Sequence, residues 1–468
     1  MAESRTSSSV ELLLQVSRDD PAPMHAQLER ELRAAVRGGR LAANTALPST
    51  RSLAGQLGVS RGVVVEAYEQ LVAEGYLVGR HGSATRVAAR AAARPAAQRP
   101  VAPPPPARFD FRPGRPDVSQ FPRAVWLRSV RRALNDAPAD RFGYTDGRGL
   151  PELREALAAY LNRVRGTAAD PERIVITNGY SQGLALVSQV LRANGACRMA
   201  VEDPSYDGAR RIVAAAGLDV LPIGLDDDGL RLVDLRRADA DAVLVTPAHQ
   251  YPTGAVLPPG CRASLAAWAA STDALIIEDD YDAEYRYDRE PIGAIQGLAP
   301  DRVIYAGSAS KTLAPGLRLG WLLLPESLTE QVAAAKIAAD NGSAALEQLT
   351  YADFMIHGEL DHHLRRMRVL YRRRRDVLVD ALHRHLPMLD VCGTAAGLHL
   401  MAWLPEHLDE ATIIRRSAEQ GLLLYGMAEQ HVRLGGAGGL IIGYASLTER
   451  QIEDGVRLLG EVIATIKR

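Results

Sequence analysis

The chain is nearly devoid of lysine. Of its 55 basic residues only Lys311, Lys336 and Lys467 are lysines, so arginine fills almost every ordinary cationic role. Cysteine is scarce too. Cys197, Cys261 and Cys392 are widely spaced, which excludes a disulfide scaffold and offers no Cys-x-x-Cys metal or redox pattern. No apolar run approaches the roughly 18 residues of a membrane span, and the N-terminus lacks a basic-then-apolar secretory layout. Net charge is −1, so the global balance of charge points to no class of partner. The expectation is a reduced, cytoplasmic protein with no membrane partner and no metal. Its 468 residues, 47% hydrophobic and 24% charged, are enough for two or three folding units with ample core.

A lysine kept in a chain that has otherwise abandoned lysine raises a chemical question. Lys311 lies in Gly307-Ser308-Ala309-Ser310-Lys311-Thr312-Leu313-Ala314-Pro315-Gly316-Leu317-Arg318, just after the apolar run Val303-Ile304-Tyr305. Unlike arginine, lysine can lose its proton at accessible pH and attack a carbonyl to form a Schiff base. The hydroxyls of Ser308 and Ser310 and the guanidinium of Arg318 suit a phosphate. An isolated Ser-x-x-Lys reads better as a solvated loop, so the surroundings decide.

Residues 10–87 form the first module. Met24, Leu28, Leu32 and Val36 repeat with helical spacing. Ser49 or Thr50 then caps a short helix that Gly58 ends, and Ser60 caps a second with Val64, Ala67, Tyr68 and Leu71 inside. Two short helices joined by a glycine turn predict a helix-turn-helix, and Tyr76–Val78 with Thr85–Val87 predict a hairpin wing. From Arg30 to Arg86 there are eight arginines against four acids, so basic charge concentrates here. Arg61 opens the second helix, where side chains reach base edges; Ser49, Thr50 and Ser60, with the helix N-termini they cap, can hold phosphates, and Arg51 is a further DNA-contact candidate. Arg80 and His81 would form the wing tip and touch the minor groove or backbone. A small protein-interaction module is the competing reading.

Residues 88–107 are Ala- and Pro-rich, with almost no large apolar side chain, and read as a tether. In residues 108–468 strand-like and helix-like segments alternate, as in an α/β fold with a mostly parallel sheet. Several strand ends carry chemistry: Ser181 and Gln182 after Ile174–Thr177, Tyr206 after Val201–Asp203, His249 after Ala242–Pro247, and Asp279 with Tyr281 after Ala274–Ile277. In open α/β sheets ligands gather at the carboxyl ends of strands. One cofactor, pyridoxal 5′-phosphate, uses them all. Lys311 meets its aldehyde, and Ser181, Gln182, Ser308 and Arg318 meet its phosphate. Asp279 meets the ring nitrogen, Tyr281 the ring hydroxyl, and Tyr206 the ring face. The run Arg372–Arg375 reads as a solvated helix face.

Leu47-Pro48-Ser49-Thr50-Arg51, Val59-Ser60-Arg61 and Glu66-Ala67-Tyr68 through Tyr76-Leu77 resemble the GntR-type winged helix-turn-helix signature. Gly143–Arg154, Asn178–Gly183, Glu202-Asp203-Pro204-x-Tyr206, Asp279-Asp280-Tyr281 and Ser308-x-x-Lys311 resemble class I aminotransferases of fold type I. Tyr251-Pro252-Thr253-Gly254 stands where such enzymes usually carry Asn-Pro-x-Gly. With His249-Gln250 before it, this stretch resembles the MocR-type subfamily of GntR regulators. The resemblance implies a mostly α winged helix-turn-helix linked to a fold type I domain with a smaller C-terminal α/β part. It also implies a homodimer on an operator with two half-sites, a cofactor contact at His249, and an arginine, for which Arg433 is the candidate, holding an effector carboxylate. Three functions stay open: a regulator sensing an amino acid or amine that displaces Lys311, a sensor of the cofactor itself, and an active aminotransferase carrying a DNA-binding module.

Overall fold

A computed structural model describes residues 14, 16–79, 84–89, 107–144, 146–226, 228–287, 292–433 and 436–466. The chain divides into two compact units, Met1–Pro104 and Pro105–Arg468.

In the first unit, α1 (Met24–Arg37), α2 (Thr50–Leu57) and α3 (Arg61–Ala73) precede a two-stranded wing of β1 (Leu77–Val78) and β2 (Arg86–Val87). Ser49 and Ser60 act as the expected caps, accepting from Ser52 N at 3.2 Å and Val63 N at 3.4 Å. Leu28 and Leu32 of α1, Leu53 of α2, Val64 and Leu71 of α3, and Leu77 and Val87 of the wing are all buried in one core. That shared core makes the wing a part of the helical module, since a two-stranded hairpin alone is marginal in water.

The second unit begins with β3 (Phe109–Asp110), which pairs with a strand near the C-terminus. An eight-stranded sheet follows: β4 (Ile174–Thr177), β5 (Arg198–Asp203), β6 (Asp219–Asp226), β7 (Gly229–Leu230), β8 (Ala242–Val245), β9 (Leu275–Asp279), β10 (Val303–Ser308) and β11 (Gly320–Leu323). Their order is β4-β11-β10-β9-β8-β5-β6-β7, with β11 and β7 antiparallel to their neighbours and the rest parallel. Continuous apolar runs are what a sheet covered on both faces requires. Leu244 and Ile277 pack into one core, while Val243, Val245 and Ile276 pack into the core on the opposite face. A smaller part holds β12 (Asp390–Cys392), β13 (His399–Trp403), β14 (Leu422–Leu423), β15 (Tyr425–Gly426) and β16 (Gly439–Gly443). There β14 is the partner of β3, and the other four form an antiparallel sheet. Among the described residues no helix is long and apolar enough to cross a membrane.

The run Arg372–Arg375 is a correction to the sequence reading. It lies on the 27-residue helix Glu359–His385, and only Arg372 and Arg373 are exposed. Arg374 and Arg375 share the inward face with Tyr371 and Leu378, as a period of 3.6 dictates. Burial is tolerated because Arg374 pairs with Asp117 at 2.9 Å, while Arg374 and Arg375 donate to the Ala445 and Thr394 carbonyls.

Candidate functional site

Several strand ends of the large sheet converge on a cavity of about 280 Å³. β10 stops at Ser308 and passes at once into the helical turn Ala309–Thr312, which brings Lys311 to the cavity. Its Nζ donates to the Gly114 carbonyl at 2.6 Å. Gly114 has φ +72°, and a Cβ there would stand 2.9 Å from Nζ, so this approach needs glycine. Burial holds the Lys311 amine below the usual lysine range, against the pull of Asp282 and Asp279. The neutral, nucleophilic amine is therefore reached at lower pH than on a surface lysine.

Three successive carboxylates end β9 and its exit, and alternation sends them to different places. Glu278 turns into the core and accepts from the Ile295 and Gln296 amides, each at 3.0 Å. Asp280 accepts from Arg165 Nε and the Tyr305 hydroxyl, each at 2.7 Å. Of the three, Asp279 lines the cavity. Burial pushes its carboxyl up to about 8; the neighbouring Tyr180 hydroxyl and Lys311 oppose the rise, and Asp280 and Asp282 add to it. A cationic group placed in the cavity would restore its charge.

At another part of the lining, β4 leads through Gly179 into the helix Tyr180–Ala193, whose first backbone N–H groups are free to bind an anion. Arg318 donates from Nη2 to the Asn178 carbonyl at 2.7 Å. Gly179 has φ +86°, and a Cβ there would lie 2.6 Å from Arg318 Nη2. Ser181, Ser308, Ser310 and Arg318 all line the cavity, a donor set suited to a phosphate. Gly179→Ala is expected to displace Arg318 and weaken binding of a phosphorylated ligand in this cavity about ten- to a hundredfold, the loss of one charge-assisted contact. Equilibrium dialysis would check this, and unchanged affinity would remove Arg318 from the phosphate site.

Residues 117–458 match the family model for aminotransferases class I and II, and residues 25–87 match that for bacterial regulatory proteins of the gntR family. The chain is 35% identical over 474 residues to the probable rhizopine catabolism regulatory protein MocR of Rhizobium meliloti, covering 96% of this chain and 95% of that one. The chain belongs to the MocR-type subfamily of GntR regulators. Another relative is the pyridoxine biosynthesis transcriptional regulator PdxR of Corynebacterium glutamicum, 34% identical over 92% of this chain and 94% of that protein. Among solved structures, LysN, the α-aminoadipate aminotransferase of Thermus thermophilus complexed with N-(5′-phosphopyridoxyl)-L-leucine, is similar. It is 26% identical with a TM-score of 0.70, over 77% of this chain and 92% of that one.

In this MocR-type chain Lys311, Asp279, Tyr281, Tyr206, Ser181, Ser308 and Arg318 line one cavity. Gln182, His249 and Arg433 do not. Gln182 accepts from the Asn178 amide at 2.8 Å and donates to Asp340 at 2.6 Å, so it shapes the turn. His249 is buried one layer back, with Nδ1 2.9 Å from the Tyr281 hydroxyl and 3.1 Å from Asp282 Oδ2. Arg433 is exposed and donates to the Pro222 carbonyl at 3.0 Å. The residues that sequence reasoning missed include Gly114, Thr246 and His399, which line the cavity, and Asp282 behind it. Thr246 was findable as a strand end; its hydroxyl donates to Glu202 at 2.7 Å. His249, Asp282 and His399 place ligand-type atoms within 4.8 Å of one another. Hydrogen bonds of His249 to Tyr281 and Asp282, and of His399 to the Pro252 carbonyl at 3.2 Å, already use this cluster.

In the winged module, Arg51 and Arg61 are exposed, and Arg61 Nε reaches Thr50 Oγ1 at 3.4 Å. The start of α3 thus lies beside the start of α2, two capped N-termini together. Arg80 and His81 lie outside the described residues.

Proposed function

We propose that this chain is a DNA-binding transcriptional regulator whose aminotransferase-like unit holds pyridoxal phosphate at Lys311 and senses an amino acid, an amine or the cofactor itself. The observation that carries the reading is a single cavity holding a buried amine, a buried carboxylate and a guanidinium among hydroxyls. When bound, pyridoxal phosphate would supply an electrophilic aldehyde and a ring that stores electrons. Lys311 would hold it covalently, Asp279 would keep a proton on the ring nitrogen, and Ser181, Ser308, Ser310 and Arg318 would hold the phosphate. Tyr206 would cover the ring and Tyr281 would meet its hydroxyl. The phosphopyridoxyl ligand of the Thermus enzyme and the pyridoxine-related role in the name of the Corynebacterium relative support the assignment. The chain acts in the cytoplasm as a homodimer, whose two α3 helices read two half-sites.

Arg61→Ala is expected to weaken binding to duplexes selected from a random pool by about 5- to 150-fold, the cost of one base contact. Its near-visible spectrum stays that of the wild type. Fluorescence anisotropy reads the first and absorbance the second; unchanged specific affinity would sink the recognition assignment. Titration with amino acids and amines should shift the near-visible band and the DNA affinity together. Stoichiometric accumulation of oxo acid with no change in DNA affinity would put the aminotransferase reading first.

A further inference from the structure

His249 and Asp282 are each 1% exposed and face each other at 3.1 Å, directly behind Tyr281. Both contacts of His249 use the same atom, Nδ1, and that constrains where the protons go. If the ring hydrogen were on Nε2, the Nδ1 lone pair would press against the Asp282 carboxylate. The N–H on Nε2 would then be a buried donor, and among the described residues Nε2 has no partner. With the hydrogen on Nδ1, His249 donates to Asp282, and only a lone pair is left unpaired at Nε2. The walls leave little freedom, since a Cβ on Gly397 would lie 2.1 Å from His249 Cε1 and one on Gly254 3.1 Å from Nε2.

A hydrogen on Nδ1 excludes the Tyr281 hydroxyl as a donor to His249, 2.9 Å away. The phenol oxygen can only accept there, so its own hydrogen must point elsewhere, and Tyr281 lines the cavity. We infer that Asp282, acting through His249, fixes Tyr281 as a hydrogen-bond donor into the cavity. Asp282 and His249 are thus positioning residues, and Tyr281 is the group that touches the ligand. Burial, with Asp282 and then Tyr251, Asp279 and Glu202 around it, keeps the phenol protonated, as a donor must be. His399, whose ring centroid is 5.2 Å from that of His249, is held neutral by burial, its pKa lowered to about 3. It adds no competing charge.

This inference rests on the cofactor reading only for the identity of the ligand, so it is tested in two ways. In the full chain stripped of small molecules, long-range ¹H–¹⁵N spectra read the tautomer of His249, assigned through its loss in His249→Gln. The expected form carries hydrogen on Nδ1, and Asp282→Asn abolishes that preference. A wild-type chain with hydrogen on Nε2 alone would overturn the inference, whether or not a cofactor binds. In the loaded protein, donation from Tyr281 to a phenolate lowers the pH at which the near-visible band changes. Asp282→Asn and Tyr281→Phe should therefore each raise that pH by about one unit, and Asp282→Asn should add no rise to Tyr281→Phe. If Asp282 served merely as a negative charge near Lys311, its removal would lower the pH instead. A downward shift, equal in both backgrounds, would refute the positioning role. Absence of any band in the wild type would count against the cofactor reading alone, and the tautomer would still decide the orientation.

Discussion

Lys311→Ala is expected to abolish the near-visible band of the purified protein and to leave no adduct on the chain after borohydride reduction. The effect should be complete, because among the described residues no other amine lines the cavity. Lys336 is fully buried and tied to Asp340, with Nζ 2.6 Å from Oδ2. Lys311→Arg should fail as fully as alanine, since a guanidinium keeps its proton at any accessible pH and cannot attack a carbonyl. That variant also retains the positive charge, so the pair separates nucleophilicity from charge. The phosphate contacts proposed for Arg318 and the serines are untouched by both changes, so pyridoxal phosphate should still be taken up, but be lost on dialysis. Mass spectrometry of the reduced, digested wild type should find the label on the peptide containing Lys311. A band that persists in Lys311→Ala, or a label on another residue, would remove Lys311 from the centre of the site.

Much of this site was legible because the chain spends residues unevenly. Lysine retained at position 311 in an arginine-rich chain, and carboxylates at the end of an apolar strand, are chemical choices that a sequence displays directly. The winged module was legible for a different reason: its caps, helical spacing and turns are local. What escaped was positional. Gly114 contributes a carbonyl and an absence of bulk, neither of which leaves a pattern, and it meets Lys311 across 197 positions. His399 arrives from the smaller sheet. Gln182 was read as a phosphate donor from its place after a strand, yet its amide is consumed by Asn178 and Asp340. Asp282 adjoins Tyr281 in the chain, but its role depends on a histidine 33 residues away whose ring lies behind the phenol. Arg374 and Arg375 were misread because a run of four arginines hides the helical period that buries two of them.

The second large effect concerns Asp279 and has a definite direction with pH. Burial raises its pKa to about 8 in the folded chain, from an ordinary 3.8. At pH below about 4 the group is neutral folded and unfolded and makes no difference to stability. Between about 4 and 8 the unfolded chain ionises while the fold keeps the proton, so the fold loses about 1.4 kcal/mol per pH unit on this account. Above that window both states are ionised and the accumulated cost, several kcal/mol, stays constant. Asp279→Asn removes this cost, so in the chain without cofactor the variant should gain stability over the wild type as pH rises through the window. Glu202 and Glu278, each raised to about 7, are common to both chains and cancel in the comparison. Denaturant melts at a series of pH values measure the difference; parallel curves would mean that the carboxylate is solvated in the folded state. With pyridoxal phosphate bound the order should reverse. A protonated ring nitrogen beside the Asp279 carboxylate would supply the missing counter-charge, whereas the amide of Asp279→Asn would have no charge to pair with it. The wild type should then retain the cofactor more tightly than Asp279→Asn, and its stability should stop falling with pH. A residue that destabilises the empty fold and stabilises the loaded one makes folding of this unit depend on its ligand, which is the linkage a sensor needs.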